Sequence, residues 1–239
     1  MRQAQGRTGT TMTEAALREK VVDQIRSWIG RNEADGSHKA IIDIYNTIKP
    51  LPVGYRLRYT DPWCAGTVSA AAQACELTDI IFPECSCSRM IAKYQAAGRW
   101  MEDDAYIPQV GDLVMYGWND SGIGDYTGMP DHVGMAEKCD GKTMTIIEGN
   151  KNNAVERRTI PVNARYIRGF CLPDYGSKVT QVGFPDVAAG AYYEKAVAWA
   201  AATGIAAGYP DGNFHPDDPI TRAQAVTMLY RFSRQPDLD

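Results

Sequence analysis

No apolar run in this 239-residue chain approaches the roughly 20 residues that a bilayer-spanning helix requires. The longest candidate, 196–207, is broken by Trp199, Thr203 and Gly204 and reads as an amphipathic helix. A basic surplus is also missing: 25 Lys and Arg stand against 29 Asp and Glu, for a net charge of -4. That balance gives no electrostatic basis for broad binding to a nucleic-acid backbone. Cysteine is too sparse for a disulfide scaffold, with six residues at 64, 75, 85, 87, 139 and 171 and no CxxC pair among them. Only three histidines occur, at 38, 132 and 215, so a zinc site of the usual Cys/His kind is hard to assemble. Cys85-Ser86-Cys87 could serve a metal or a redox pair, but the simpler reading is buried spare thiols. After Arg2 and Arg7 no apolar stretch of the length of a secretory signal follows. The expected protein is therefore soluble and globular, holds no metal and no cofactor, and is partnered by neither nucleic acid nor membrane.

What is present divides into two textures. Helical spacing comes first. Ala16, Leu17, Val21, Ile25 and Trp28 mark a helix over 13–29, and further helices are expected over 38–48, 64–75 and 88–98. Asp61 is the expected N-cap of the third of these, with Pro62 at its first helical position. Strand patterns follow at 113–116, 132–138, 142–148 and 166–172. Helices followed by antiparallel strands read as an α+β domain over 13–175, behind a disordered tail at 1–12. Pro, Asp, Gly and Ser cluster from Pro173 to Lys178, and a linker is placed at 176–182. The remainder, 183–239, is expected to be small and all-α. Its first helix lies in an Ala-rich stretch, 191–202; its second is capped by Thr221 and faces Ala225, Met228, Leu229 and Phe232 inward.

Cys64 is the candidate nucleophile. A thiol in the first turn of a helix meets unsatisfied N–H groups and the positive end of the dipole, and both favour thiolate. The same N–H groups would receive the oxyanion of a tetrahedral intermediate. Of the three histidines, His132 has the best placement to act as base, because it opens a strand of the same domain after a Gly-rich loop. Glu148 and Asn150 close the next strand, where a neighbouring side chain would reach a ring nitrogen and orient it. Trp63, Trp118 and Asp131 are candidates for a substrate groove; for the tryptophans, core packing is an equal alternative. The segment 119–125 has oxygen ligands and glycines that would suit calcium, but is read as an ordinary loop beside the site.

These residues carry a resemblance. Tyr59-Thr60-Asp61-Pro62-Trp63-Cys64-Ala65-Gly66 is similar to the nucleophile segment of CHAP domains, papain-like (NlpC-type) cysteine amidohydrolases and peptidases. Val110-Gly111-Asp112-Leu113-Val114 resembles the central strand of that family, Asp131-His132-Val133-Gly134-Met135 its histidine strand, and Ile147-Glu148-Gly149-Asn150 the segment of its third catalytic group. The resemblance implies Cys64 as nucleophile, His132 as general base, Glu148 orienting the imidazole and Asn150 supporting it. The Asp-rich calcium loop of some members has no counterpart before Cys64.

The last unit resembles one S-layer homology repeat, on Phe184-Pro185-Asp186-Val187, Gly208-Tyr209-Pro210-Asp211-Gly212-Asn213-Phe214 and Ile220-Thr221-Arg222-Ala223-Gln224. The resemblance implies binding to an anionic secondary cell-wall polymer, with Trp199, Asp211 and Arg222 as candidate contacts. It also implies self-association, since such repeats usually come in threes. Together the two resemblances imply a peptidoglycan hydrolase acting outside the cell, either an N-acetylmuramoyl-L-alanine amidase or a stem or cross-bridge endopeptidase. A bacteriophage endolysin released through a holin-type pore is the expected setting, with a host autolysin as the alternative. A catalytically silent wall-binding adaptor and a transpeptidase are the other readings.

Overall fold

The computed structural model describes residues 13–123, 127–178 and 184–233. The expected tail at 1–12, the linker from 179 on and the end of the loop at 124–125 lie outside the described residues. Two compact units are found, Ala15–Tyr175 and the part from Gly176 onward. No helix among the described residues is long and apolar enough to cross a membrane.

The first unit is mixed helix and antiparallel sheet, in accord with the α+β reading. Its helices are α1 (Glu14–Arg26), α2 (Lys39–Tyr45), α3 (Cys64–Ala74) and α4 (Cys87–Ala96). Its strands are β1 (Trp100–Met101), β2 (Leu113–Tyr116), β3 (His132–Cys139), β4 (Thr143–Lys151), β5 (Ala154–Pro161) and β6 (Ile167–Cys171). They form one six-stranded sheet in the order β1-β6-β2-β3-β4-β5. Helix α1 buries Leu17, Val21, Val22 and Ile25, the stripe that a 3.6-residue period dictates. Its Arg18 reaches the carboxylate of Asp112 at 3.0 Å, tying the helix to the residue before β2.

Two strands were not expected. β1 is a two-residue edge piece, too short to carry a pattern. β5 pairs with β4 through a two-residue turn, Asn152-Asn153, closed by Lys151 opposite Ala154. Both asparagines have positive φ, 51° and 61°, as a type I′ hairpin demands. The charged run Glu156-Arg157-Arg158 hides the alternation, because β5 is an edge strand with one wet face.

Helix α3 packs on β3 and β4, and glycine makes this possible. A Cβ at Gly149 would stand 1.9 Å from Thr67 Oγ1 and 2.5 Å from Thr67 Cβ. A Cβ at Gly134 would stand 2.7 Å from Glu148 Cγ. Gly149→Ala is therefore expected to overpack the α3–β4 contact and cost about 1–3 kcal/mol. The measurement is a lowered urea midpoint at unchanged slope; an unmoved midpoint would contradict so close an approach.

In the second unit the described residues form α5 (Glu194–Ala202) and α6 (Arg222–Phe232). Thr221 caps α6 as expected, in a full capping box with Gln224. Phe184, Val197, Ile205 and Ala206 are its buried apolar residues, and Phe184 packs on Phe214 at 5.2 Å. Asp186 accepts the backbone N–H groups of Phe214 and His215, fixing the connection between the helices. The inward face expected of α6 is not realised: Leu229 is 66% exposed and Phe232 54%, and no residue of the helix is buried. One repeat offers α6 only α5 and a loop to pack on, which is too little surface to cover it.

Candidate active site

Cys64 is the first residue of α3, but the start of the helix differs from expectation. Trp63 occupies the N-cap position and gives no side-chain cap. Asp61 instead spends its carboxylate on the loop before the helix, accepting from Tyr55 Oη, the Arg58 N–H and the Arg58 guanidinium. The N-terminal N–H groups of α3 thus have no side-chain cap competing for them, and that of Ala65 favours the Cys64 thiolate. Trp63 itself is fully buried (0% exposed), its indole donating to Glu33 at 2.9 Å and its ring 5.5 Å from that of His38. It anchors the nucleophile segment from inside and cannot line a groove.

His132 opens β3, and its Nε2 lies 3.1 Å from Glu148 Oε2. With Nε2 bonded to the carboxylate, Nδ1 is the nitrogen left for Cys64, and thiol and imidazole each draw the other toward its charged form. Glu148 is wholly buried in β4 and is held from its other side by Arg158 of β5. The guanidinium makes two bonds, Nε to Oε1 at 2.7 Å and an Nη to Oε2 at 3.0 Å. In the sheet Arg158 stands opposite Ile146 and Glu156 opposite Glu148, so the pair is a diagonal cross-strand contact.

The charges follow from this chain. At Cys64 the bond from the Cys87 thiol is the largest influence toward thiolate; burial opposes it, and the hydrogen bond and charge of His132 assist. The net result holds the thiol well below its usual value. At His132 burial pulls the imidazole down, but the bonds and charges of Cys64 and Glu148 prevail and raise it to about 9. Burial pushes the Glu148 carboxyl up, and His132 with Arg158 brings it below its usual value. A thiolate–imidazolium pair is thereby favoured across neutral pH.

Around this centre, Trp118 stacks on Tyr116 at 5.1 Å and lies 6.0 Å from the His132 ring. At 40% exposure it stands at the surface beside the imidazole. Asp131 accepts the Trp118 backbone N–H at 2.7 Å and so fixes its place. Asn150 has left-handed backbone, φ 59°, where β4 turns toward the hairpin, and its side chain bonds none of the three central residues. The contact that holds the far side of Glu148 comes from Arg158. Sequence reasoning missed Arg158 because β5 was missed, though the Asn152-Asn153 turn signals the strand. Cys87 was also missed: it is the first residue of α4, with its sulfur 3.9 Å from that of Cys64.

In the second unit, Trp199 is 42% exposed and edge-on to Phe232. The Asp211 carboxylate is engaged within its own loop, by the Asn213 N–H and the His215 ring. Arg222 is exposed at the start of α6. A cavity of about 640 Å³ is bordered by Tyr209, Phe214, His215, Ala223, Met228 and Arg231, among others. None of Trp199, Asp211 and Arg222 lines it.

Comparison with known proteins bears on both units. A family model described as the CHAP domain matches residues 55–150, and one described as the S-layer homology domain matches 183–226. Outer membrane protein SlpA of Thermus thermophilus is 44% identical over 52 residues, which cover 22% of this chain and 6% of that protein. The chain therefore spans only a small fraction of the curated relative it matches. No solved structure matches it. The chain joins a CHAP domain, carrying Cys64, His132 and Glu148, to an S-layer homology domain.

Proposed function

We propose that the first unit hydrolyses an amide bond of peptidoglycan through an acyl-enzyme on Cys64. CHAP domains are typically cysteine-dependent peptidoglycan hydrolases, which supports the reaction class. The observation that carries the reading is the chain of contacts from Cys64 through His132 and Glu148 to Arg158. The Cys64 thiolate attacks the carbonyl carbon, and the N–H groups at the start of α3 receive the oxyanion. His132 then protonates the leaving amine, and in the second half it takes a proton from water as that water attacks the thioester. Glu148 keeps the ring turned toward the sulfur throughout. Incubation with purified Gram-positive peptidoglycan is expected to release new amino groups. Mass spectrometry of the fragments would then name the bond, at the muramoyl amide for an amidase or within the peptides for an endopeptidase. Consumption of amino groups would instead identify a transpeptidase.

The second unit is the anchor in this reading. S-layer homology domains bind secondary cell-wall polymers, and the similarity to a protein named for the outer membrane is compatible with a place in the cell envelope. The exposed Leu229 and Phe232, with Val226 and Tyr230, leave an apolar helix that a second or third copy would cover. Light scattering at tens of micromolar is expected to give a dimer or trimer; a monomer would remove this part of the proposal.

A further inference from the structure

Cys64 and Cys87 each open a helix, each is buried, and their sulfurs are 3.9 Å apart. The sulfurs must close by about 2 Å to reach the roughly 2 Å of a disulfide. The other cysteines near this region are engaged elsewhere: Cys85 faces the Tyr45 hydroxyl, and Cys75 bonds the Lys20 carbonyl. So the Cys85-Ser86-Cys87 segment does not pair with itself; it sends one thiol toward α2 and the other to the nucleophile. In the hydrolytic cycle proposed above the second sulfur serves only as a hydrogen-bond donor that favours the Cys64 thiolate; it takes part in no bond-making step.

We propose that Cys87 is a resolving thiol, and that a peroxide converts Cys64 and Cys87 to a reversible disulfide that silences the site. The Cys64 thiolate attacks the peroxide, gaining one oxygen as sulfenic acid. The departing hydroxide takes the proton of the His132 imidazolium and leaves as water. The imidazole, now neutral, accepts the Cys87 proton as that sulfur attacks the sulfenic sulfur. The S–S bond forms, the S–O bond breaks, and the departing hydroxide takes that proton from the imidazolium and leaves as the second water. The two sulfurs together lose two electrons, and the peroxide is reduced to two waters. A dithiol reductant reverses the change. The benefit to the molecule is chemical: sulfenic acid captured as a disulfide is withheld from irreversible oxidation to sulfinic acid. Cys87 is suited to this because its own thiol is held protonated beside the Cys64 thiolate, which reserves it as a donor until the nucleophile's charge is lost.

The disulfide itself stands on the sulfur geometry, whereas its silencing effect rests on the hydrolase reading. The test treats the full chain with hydrogen peroxide, blocks free thiols with iodoacetamide, and maps cysteine peptides by mass spectrometry. The expected product is a Cys64–Cys87 linked peptide, with both thiols lost together and both recovered by dithiothreitol. Peptidoglycan-lysing activity is expected to vanish with the linkage and return with the reductant. In Cys87→Ser, and in Cys87→Ala as a second variant, Cys64 is expected to proceed to sulfinic acid and to resist rescue. Cys64 oxidised alone in the wild type, with Cys87 still open to iodoacetamide, would overturn the proposal. So would a linkage from Cys64 to a different cysteine. Should untreated protein show no lysis while the linked peptide forms, the hydrolase reading fails and the resolving pair stands. The wild-type map decides the question even if neither variant folds.

Discussion

Cys64→Ala is expected to lower lysis of a Gram-positive cell suspension by on the order of 10⁴-fold or more, to the level of a buffer control in a turbidity assay. The magnitude follows from what the sulfur contributes. It forms the covalent intermediate, and no other group beside His132 could replace it as nucleophile except Cys87, whose thiol is pushed up by its bond to Cys64 and by burial. The fold should be retained, because removing one buried sulfur atom leaves a small void and also removes a buried charge. Unfolding should therefore shift by no more than about 1–2 kcal/mol. Activity should also follow pH in a manner set by the pair. On the acid side it declines as the thiolate, held well below the usual thiol value, is protonated. Above about 9 it declines as His132 loses the proton that the leaving amine requires. A folded Cys64→Ala protein retaining activity within about tenfold of wild type would show that the reaction runs elsewhere. A lytic rate still rising well above pH 9 would separate His132 from the chemistry.

Much of this architecture could be read from residue order alone, and the failures have physical causes. The helices and the four inner strands were legible because a buried face imposes a period, as Leu17, Val21 and Ile25 do on α1. β5 was not, since an edge strand with one face in solvent tolerates the charged run Glu156-Arg157-Arg158. That single omission hid Arg158. Cys64 and Cys87 make the sharper case. Both thiols begin helices and both are buried, so the helix-end argument applied to Cys64 applies equally to Cys87. Yet one is driven toward thiolate and the other away from it. The helix terminus does not decide between them; the bond between the two sulfurs, which favours thiolate at Cys64 and thiol at Cys87, is the largest influence, with His132 assisting at Cys64, and only three-dimensional proximity creates either contact. The exposure of α6 is a related lesson. Helical spacing correctly marks Leu229 and Phe232 as an apolar face, but it does not reveal whether the chain supplies anything to cover that face.

Glu148→Gln should be the most damaging change that leaves shape nearly intact. The carboxylate accepts from His132 on one side and twice from Arg158 on the other, and is itself fully buried. An amide offers one oxygen and one NH₂ group, so whichever way it turns, its NH₂ group faces another donor. Breaking a buried charge pair in this manner costs about 3–5 kcal/mol, and the lower end applies because Arg158 is partly exposed and can turn to water. The cost should depend on pH. His132 is raised from 6.5 to about 9 in the folded protein, so what its charge contributes to stability is complete below 6.5 and is lost as pH rises through about 9. Glu148 is lowered from 4.5, so its contribution is complete above that value and is lost as pH falls through its folded value. Part of the His132 shift comes from Glu148, and that part disappears in the variant. The stability gap between wild type and Glu148→Gln should thus be widest between about pH 4.5 and 6.5 and should narrow toward both extremes. The lytic rate should fall by on the order of 10²-fold or more, and its alkaline limb should move to lower pH as the imidazolium loses its neighbouring charge. Urea unfolding at about pH 6 and about pH 9, beside a pH profile of lysis, measures both effects. A gap that is constant with pH, or an alkaline limb that stays in place, would mean that Glu148 packs beside the imidazole without governing its charge.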